Sequence, residues 1–239
     1  MKIALGVAYH NRIEKLTRLL KSIETNKTDK IDIITYVICD NRKDYEDLFK
    51  FSYNNKIGFF VFPIFQAIYV VKKWNFFYKE AKQSNNEYIG YINLVDDIEL
   101  YPNTIEKAID CLLTNYPDTD GIVGFNQECP SHPEYTFQPT GQTLIGNKFL
   151  ERYSTVKYQV CAPIYLQWMQ DVETFQYADK LGKFKFCKEA TLKHFHPCFI
   201  KEELDETHNL IRGKILREEK KIFINRQKRG IIWGESWTL

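Results

Sequence analysis

Two adjacent carboxylates, Asp96 and Asp97, separate an apolar run at residues 88–95 from a helical pattern that begins near Pro102. Unpaired charges are costly beside a hydrophobic core, so packing alone explains this pair poorly. Carboxylate oxygens are hard ligands that suit Mg²⁺ or Mn²⁺, with substrate phosphates and water completing the coordination. The alternative is a turn in which an aspartate caps the next helix. The spacing allows both interpretations.

Two histidines, His194 and His196, alternate along an extended segment near the end of the second half. Residues two apart in extended chain point to the same face, so their imidazoles are neighbours. Such a pair could complete an oxygen-rich metal site or contact a diphosphate, and a purely structural role is the alternative.

The elements that must position these groups alternate between strand and helix. Apolar or β-rich runs predict strands at residues 3–8, 31–39, 58–62 and 88–95. Apolar residues recur at helical spacing at residues 13–23, 70–81 and 105–113. This alternation predicts an α/β fold with a doubly wound, mostly parallel, Rossmann-like sheet flanked by helices. Such sheets bind ligands at the carboxyl ends of their strands, where polar residues stand at 9–12, 40–41 and 96–97.

The second half of the chain is less regular. A strand is expected at residues 121–125, followed by a loop region rich in Pro, Gly and Thr at 128–146 and a short helix at 147–153. A helix is expected at residues 171–181, then short strand-like pieces at 184–186 and 190–192, and a charged helical segment at 202–229.

The order of these motifs resembles the family 2 glycosyltransferases of the GT-A fold. The first strand of that family closes on a Pro-x-Tyr-Asn-Arg-like sequence, which residues 8–12 approach, and residues 12–23 match the helix that follows it. The second strand of the family ends in an aspartate, here Asp40. The Asp-x-Asp metal motif of the family aligns with residues 95–97, which places Val95 at the first carboxylate, so whether Asp96 replaces it is open.

The resemblance implies a glycosyltransferase that moves a sugar from a nucleotide sugar, a UDP sugar in the first place, to a hydroxyl acceptor. Its implied general base is Asp171, in a segment similar to the Glu-Asp-x-Glu of the family, with inversion at the anomeric carbon; the alternative is that Asp171 only caps its helix. The implied metal ligands for Mn²⁺ or Mg²⁺ are Asp97, His194 and His196. The implied donor-binding residues are Ala8, Tyr9, Asn11, Arg12, Asp40 and Asp96.

The same resemblance divides the chain. Residues 1–200 are expected to form a single GT-A domain, with a donor half at 1–126 and an acceptor half at 127–200. Residues 201–239 are expected to be a helical extension packed on it. The basic residues of this extension fit a solvated helix face, or a lid over the donor diphosphate; they are Lys214, Arg217, Lys220, Lys221, Arg226, Lys228 and Arg229.

The composition narrows the classes of protein to which the chain can belong. The 33 Lys and Arg nearly balance the 31 Asp and Glu, which argues against binding nucleic acid through global charge. No apolar run approaches the roughly 20 residues of a membrane helix. The six cysteines are scattered without a Cys-x-x-Cys pair, which predicts thiols of a reducing compartment and a soluble cytoplasmic protein.

Three questions remain open at this level. A nucleotidyltransferase uses the same sheet, but typically carries a Gly-rich loop with Arg and Lys after the first strand, which is absent here. The other alternative is a non-catalytic carbohydrate-binding protein with a degenerate site. It stays open because Val95 stands at the first carboxylate of the metal motif. The acceptor, whether a glycan, a protein, a lipid-linked molecule or a nucleic acid, has no local motif.

Overall fold

A computed structural model describes residues 1–55, 57–65, 69–128, 141–154, 157–196 and 214–230. The strands in these residues are β1 (Lys2–Ala8), β2 (Asp32–Cys39), β3 (Phe60–Pro63), β4 (Gly90–Val95), β5 (Ile98–Leu100), β6 (Ile122–Glu128), β7 (Thr143–Gly146) and β8 (Phe184–His194). The helices are α1 (Ile13–Glu24), α2 (Arg42–Asn55), α3 (Val70–Gln83), α4 (Thr104–Asn115), α5 (Asn147–Tyr153), α6 (Gln170–Lys180) and α7 (Lys214–Lys228).

The strands form one eight-stranded sheet in the order β3-β2-β1-β4-β7-β6-β8-β5. Strands β3, β2, β1 and β4 are parallel to one another, and β6 and β8 share their direction. Strands β7 and β5 run the opposite way. The prediction of a mostly parallel α/β sheet is confirmed.

Helices cover both faces of this sheet because the side chains of β1 alternate between two apolar layers. Ile3, Leu5 and Val7 pack in the layer that contains α1 and α4, whereas Ala4 and Ala8 pack in the layer that contains α3, α5 and α6. Between them, Gly6 leaves room for the ring of Phe77, since a Cβ at this position would lie 2.3 Å from that ring. The doubly wound arrangement is therefore confirmed.

The sheet curls on itself, as its strand order and one short connection show. β4 is the fourth strand of the sheet and β5 is the eighth, yet only Asp96 and Asp97 connect them along the chain. Such a short connection requires the far edge of the sheet to return to its middle, where β5 also packs against α1.

Several elements differ from the sequence prediction. Residues 143–146, expected to be loop, form β7, and the two pieces expected at 184–186 and 190–192 are parts of one strand, β8. A register irregularity beside Phe125 explains the interrupted apolar pattern of β8. Helix α2 and strand β5 were not predicted. The expected charged helix is described only from residue 214, so its earlier part lies outside the described residues.

None of the helices in these ranges combines the length and hydrophobicity that a bilayer crossing requires.

Candidate active site

The carboxyl ends of three neighbouring strands are level with one another. Ala8, the last residue of β1, pairs with Ile38 of β2 on one side and with Val95 of β4 on the other. The polar residues that follow these strands therefore meet at one edge of the sheet, as the sequence predicted.

Arg12 joins the end of β1 to the end of β4. Its Nε donates to Oδ2 of Asp96 at 3.1 Å, and its Nη2 pairs with Oδ1 of the same carboxylate. Its Nη1 lies 3.6 Å from Oδ2 of Asp97. Asp96 is fully buried, and burial raises its pKa to about 6 although Arg12 opposes the shift. Both oxygens of Asp96 thus face the guanidinium.

Asp97 meets the end of β8 from the other side. Its Oδ1 lies 3.4 Å from Nε2 of His194, whose Nδ1 is 3.1 Å from Oε1 of Gln127. The backbone N–H of Phe195 donates to the carbonyl of Asp97 at 2.8 Å. The rings of His194 and His196 are 5.5 Å apart. Burial opposes ionisation, but His194, Arg12 and His196 hold the pKa of Asp97 well below its usual range.

These residues fit a divalent cation. A buried, ionised carboxylate next to two imidazoles offers the oxygen and nitrogen ligands that Mn²⁺ accepts. Asp97 is 2% exposed, and a carboxylate buried to this extent stays ionised only where positive charge compensates it, as Arg12 does and a bound cation would. Asp96 differs, because its oxygens are already engaged by Arg12.

A second polar cluster surrounds Asp40 at the end of β2. His10 Nδ1 lies 2.8 and 2.9 Å from the two oxygens of Asp40, and Nζ of the buried Lys73 lies 3.5 Å from Oδ2. The hydrogen bond to Asp40 raises the pKa of His10. Burial would raise the pKa of Asp40, but His10 and Lys73 lower it. A carboxylate oxygen of Asp44 lies within 4.8 Å of the facing atoms of His10 and Asp40. The Asp44 carboxylate accepts hydrogen bonds from the side chain of Asn41 and from the backbone N–H of Asn11.

The remaining predicted donor residues are placed as follows. Ala8 and Tyr9 are buried, and the ring of Tyr9 packs in the apolar layer of α1. The carbonyl of Tyr9 accepts from Lys73 at 2.7 Å. Asn11 is exposed and has a φ of 47°, in the left-handed region that Asn tolerates. The backbone of residues 9–11 therefore turns sharply between Asp40 and Asp96.

Asp171 lies in the first turn of α6, half-buried, with Oδ1 accepting from the N–H of Val172 at 2.9 Å. It lines a cavity of about 20 Å³, which has room for one water, together with Trp74, Asn93 and Thr174. Oδ1 of Asn93 is buried there without a hydrogen-bond partner in the described residues. Trp74 links this cavity to the end of β4, since its Nε1 donates to the carbonyl of Leu94 at 3.3 Å.

Helix α7 is anchored beside Asp171. The buried Glu219 accepts hydrogen bonds from the backbone N–H groups of residues 166, 167 and 168, at 2.5 to 3.0 Å. Arg226, also buried, pairs with Glu173 at 2.6 and 3.0 Å. The expectation of a solvated face is therefore wrong for Arg226, whereas Arg217, Lys220, Lys221, Lys228 and Arg229 are exposed as expected.

The sequence did not single out His10, Lys73 or Glu219, and its pattern placed Arg226 on a solvated face although the residue is buried. His10 directly follows the predicted first strand and had no motif of its own. The other three share a signal, which is a charged residue at an apolar position of a helix. Lys73 stands three residues after Val70 and four before Phe77, and Glu219 and Arg226 flank Ile222 and Phe223 at the same spacing.

No protein-family model matches the chain, and no curated protein matches it. Solved structures do. The chain is similar to TarS of S. aureus over 95% of its length, with a TM-score of 0.59 and 15% identity. It is also similar to the mannosyltransferase PcManGT from Pyrobaculum calidifontis, over 93% of its length, with a TM-score of 0.65 and 11% identity.

A third neighbour is a galactosyltransferase from Drosophila, similar over 89% of this chain and 79% of its own, with a TM-score of 0.53 and 14% identity. The chain spans only 43% of the length of TarS and 64% of that of the mannosyltransferase. At these identities the likeness concerns the fold, which is that of the GT-A glycosyltransferases.

Proposed function

We propose that this chain transfers a sugar from a nucleotide-sugar donor to a hydroxyl acceptor, with a divalent cation held at Asp97. The observation that carries the proposal is the buried Asp97 carboxylate facing His194, at the strand edge where this fold binds nucleotides. The GT-A fold of the chain supports the same reaction class, but fold alone does not decide function.

The donor base is assigned to the cluster at the ends of β1 and β2. Asp40 is held by His10 and Lys73, and its carboxylate would accept a hydrogen bond from an N–H group of the base. The backbone after Ala8 lines the same position. Arg12 is assigned to the donor phosphates or ribose, and Asp96 acts through Arg12 by fixing its guanidinium.

The cation, when bound by Asp97, His194 and His196, supplies positive charge that stabilises the diphosphate as it leaves. Asp97 would contribute the carboxylate ligand, and Gln127 orients the ring of His194 through Nδ1.

Asp171 is assigned as the general base. The acceptor oxygen attacks the anomeric carbon and its proton moves to the Asp171 carboxylate. The bond from that carbon to the phosphate oxygen breaks, and its electron pair leaves with the nucleoside diphosphate. Attack from the opposite face inverts the configuration. The half-buried position of Asp171, in the first turn of α6 and at a cavity lined by Trp74 and Phe175, supports this role.

A UDP sugar is our first choice of donor. TarS is also solved in complex with UDP-GlcNAc, and the Drosophila enzyme with UDP-Gal and manganese, whereas the mannosyltransferase is solved with GDP-Man and Mn²⁺. UDP and GDP are therefore the two probes that matter, and Mn²⁺ is the first metal to use, followed by Mg²⁺.

The test is thermal unfolding with nucleoside diphosphates, with and without Mn²⁺. A ligand that binds the folded state raises the midpoint, by an amount set by its concentration relative to its Kd. We expect one diphosphate to raise the midpoint only with Mn²⁺, and Asp97→Ala to abolish this shift. Glu99→Ala, two residues further along on β5, is the matched control and retains it.

Turnover separates the proposal from its rivals. Release of nucleoside diphosphate from a nucleotide sugar, lost about 10²- to 10⁴-fold in Asp171→Asn with binding intact, supports transfer. Pyrophosphate release from a nucleoside triphosphate and a sugar phosphate would identify a nucleotidyltransferase instead. Metal-dependent binding without either reaction would leave a binding protein, and no shift with any diphosphate would contradict the donor site.

A further inference from the structure

We propose that Glu219 and Arg226 of helix α7 are positioning residues, which fix the loop and the helical turn that carry Asp171. The inference rests on the proposed function, because it takes Asp171 as the general base. It gives the C-terminal helix a part in catalysis although neither Glu219 nor Arg226 is assigned a contact with the substrate.

Glu219 fixes the chain before α6. Three consecutive backbone N–H groups, at residues 166 to 168, donate to its carboxylate. Consecutive N–H groups converge on one acceptor only when the backbone curves around it. Met169 follows with a φ of 64° and turns the chain directly into α6. Without Glu219 these buried donors would need new partners, and the turn that delivers Asp171 would shift to find them.

Arg226 fixes the rotation of α6. Its guanidinium forms two hydrogen bonds to Glu173, which stands in the same helical turn as Asp171. The hydroxyl of Tyr165 donates to Oε2 of Glu173 at 2.5 Å. A two-pronged contact resists rotation about the helix axis as well as translation. The contact between Arg226 and Glu173 therefore also fixes the direction in which Asp171 points, because both residues of α6 lie in the same turn.

The other side of this loop is tied to the donor edge. The N–H groups of Val70 and Val71, at the start of α3, donate to Oε1 of Gln167 and to the carbonyl of Leu166, both at 3.1 Å. The same helix carries Lys73, which reaches the carbonyl of Tyr9. Residues 166–168 thus lie between α3 and Glu219. Helix α7 therefore holds the loop that precedes Asp171 against α3, the helix whose Lys73 contacts the end of β1.

The chemistry of the contacts favours positioning over simple stability. A buried ion pair gains little over apolar side chains of the same size, because both charges lose their hydration. Helix α7 already brings Ile222 and Phe223 to the apolar layer, and an apolar pair in place of both Arg226 and Glu173 would extend that surface. What the charged residues add is a fixed geometry, and an error of about 1 Å at a catalytic group costs on the order of 10²-fold in rate.

The experiment uses the full chain with Glu219→Gln, which keeps the size of the side chain, and Arg226→Lys, which keeps the positive charge but not the two-pronged contact. Glu218→Gln is the matched control, since Glu218 is exposed on the same helix and pairs only with Lys221 in the described contacts. Three quantities are compared: amide hydrogen exchange at residues 166–173, the affinity for UDP with Mn²⁺, and kcat for transfer.

We expect faster exchange at residues 166–173 and a 10- to 100-fold lower kcat in both α7 variants, with nucleotide affinity unchanged. In an Asp171→Asn background, Glu219→Gln should cause no further loss, because residues that act as one unit are not additive. The control should match the unaltered chain.

Faster exchange with an unchanged kcat would overturn the inference, as would an equal further loss of kcat in the Asp171→Asn background. A parallel loss of nucleotide affinity would mean general destabilisation and would also overturn it. An unchanged kcat for transfer in Asp171→Asn would instead contradict the proposed general base. This result is distinct from every outcome of the α7 variants, because it concerns Asp171 alone.

Discussion

Oδ1 of Asp97 lies 3.4 Å from Nε2 of His194, and a pair of strands sets this distance. Ile98, the residue after Asp97, pairs with His194 across β5 and β8. The backbone of Phe195 closes the contact by donating to the carbonyl of Asp97. Asp97 thus lies in a two-residue turn that is followed directly by paired backbone, which favours a preformed geometry for the candidate metal site.

Removing the imidazole should weaken the cation site without removing the nucleotide site. We expect His194→Ala to need about tenfold or more Mn²⁺ to produce the same UDP-dependent rise in unfolding midpoint, since changes around a metal ligand typically cost 10- to 100-fold in affinity. A Mn²⁺ titration at fixed UDP measures this. Lys193→Ala, on the same strand, is the control. An unchanged Mn²⁺ requirement would exclude His194 as a ligand.

Arg12→Met should destabilise the fold as well as the site. It leaves Asp96 fully buried without its guanidinium, and breaking a buried pair in this way costs about 3–5 kcal/mol. Urea unfolding near pH 8 measures the free energy of unfolding. Arg42→Met breaks only an exposed i,i+4 pair with Glu46 and should cost no more than about 0.5 kcal/mol. A loss below about 1 kcal/mol for Arg12→Met would show that Asp96 finds another partner.

His10 should make a pH-dependent contribution to stability. The folded protein raises the pKa of His10 above its ordinary value through Asp40, so the folded state binds this proton more tightly than the unfolded chain. The stabilisation is complete below the unfolded pKa and is lost as pH rises through the folded one. His10→Gln should therefore cost more at pH 6 than at pH 9. Equal losses in urea unfolding at the two pH values would contradict the prediction.

The Glu173–Arg226 pair should behave as a unit. Arg226→Met leaves Glu173 buried with the Tyr165 hydroxyl as its one remaining side-chain partner among the described residues, and should cost about 3–5 kcal/mol in the free energy of unfolding. Adding Glu173→Gln removes the stranded charge, so the double variant should recover part of that loss. A double-mutant cycle in urea measures the coupling. Additive losses would mean that the two side chains do not interact as their 2.6 Å separation indicates.

The local pattern of the sequence was enough to predict the parallel half of the fold. Buried strands such as β1 and β4 are continuous apolar runs, and the polar residues after them lie at the predicted edge. Residues 147–153 form a helix with the predicted bounds. The three-residue β5 and four-residue β7 are too short for a periodic signal, and their pairing depends on residues far away in the chain.

The site was predictable only where residue type and strand end coincide. Asp40 and Asp97 stand directly after strands, so the sheet alone predicts that they meet at one edge. Lys73 and Glu219 could not be found in this way, because each is a charged residue within an apolar stripe of a helix. Each contacts backbone groups, which no sequence motif marks. The roles of all the predicted site residues, including Asp40, Asp97, Asp171 and His196, remain predictions.

The two-residue connection between β4 and β5 also bears on the order in which the molecule assembles. Strands β1, β2 and β4 are joined by successive crossovers and can pair as soon as residue 95 has been made. Strand β5 has to wait for β8, and contacts so distant in sequence form slowly. We therefore expect a chain emerging from the ribosome to form the proposed nucleotide-binding edge early and the proposed cation site late.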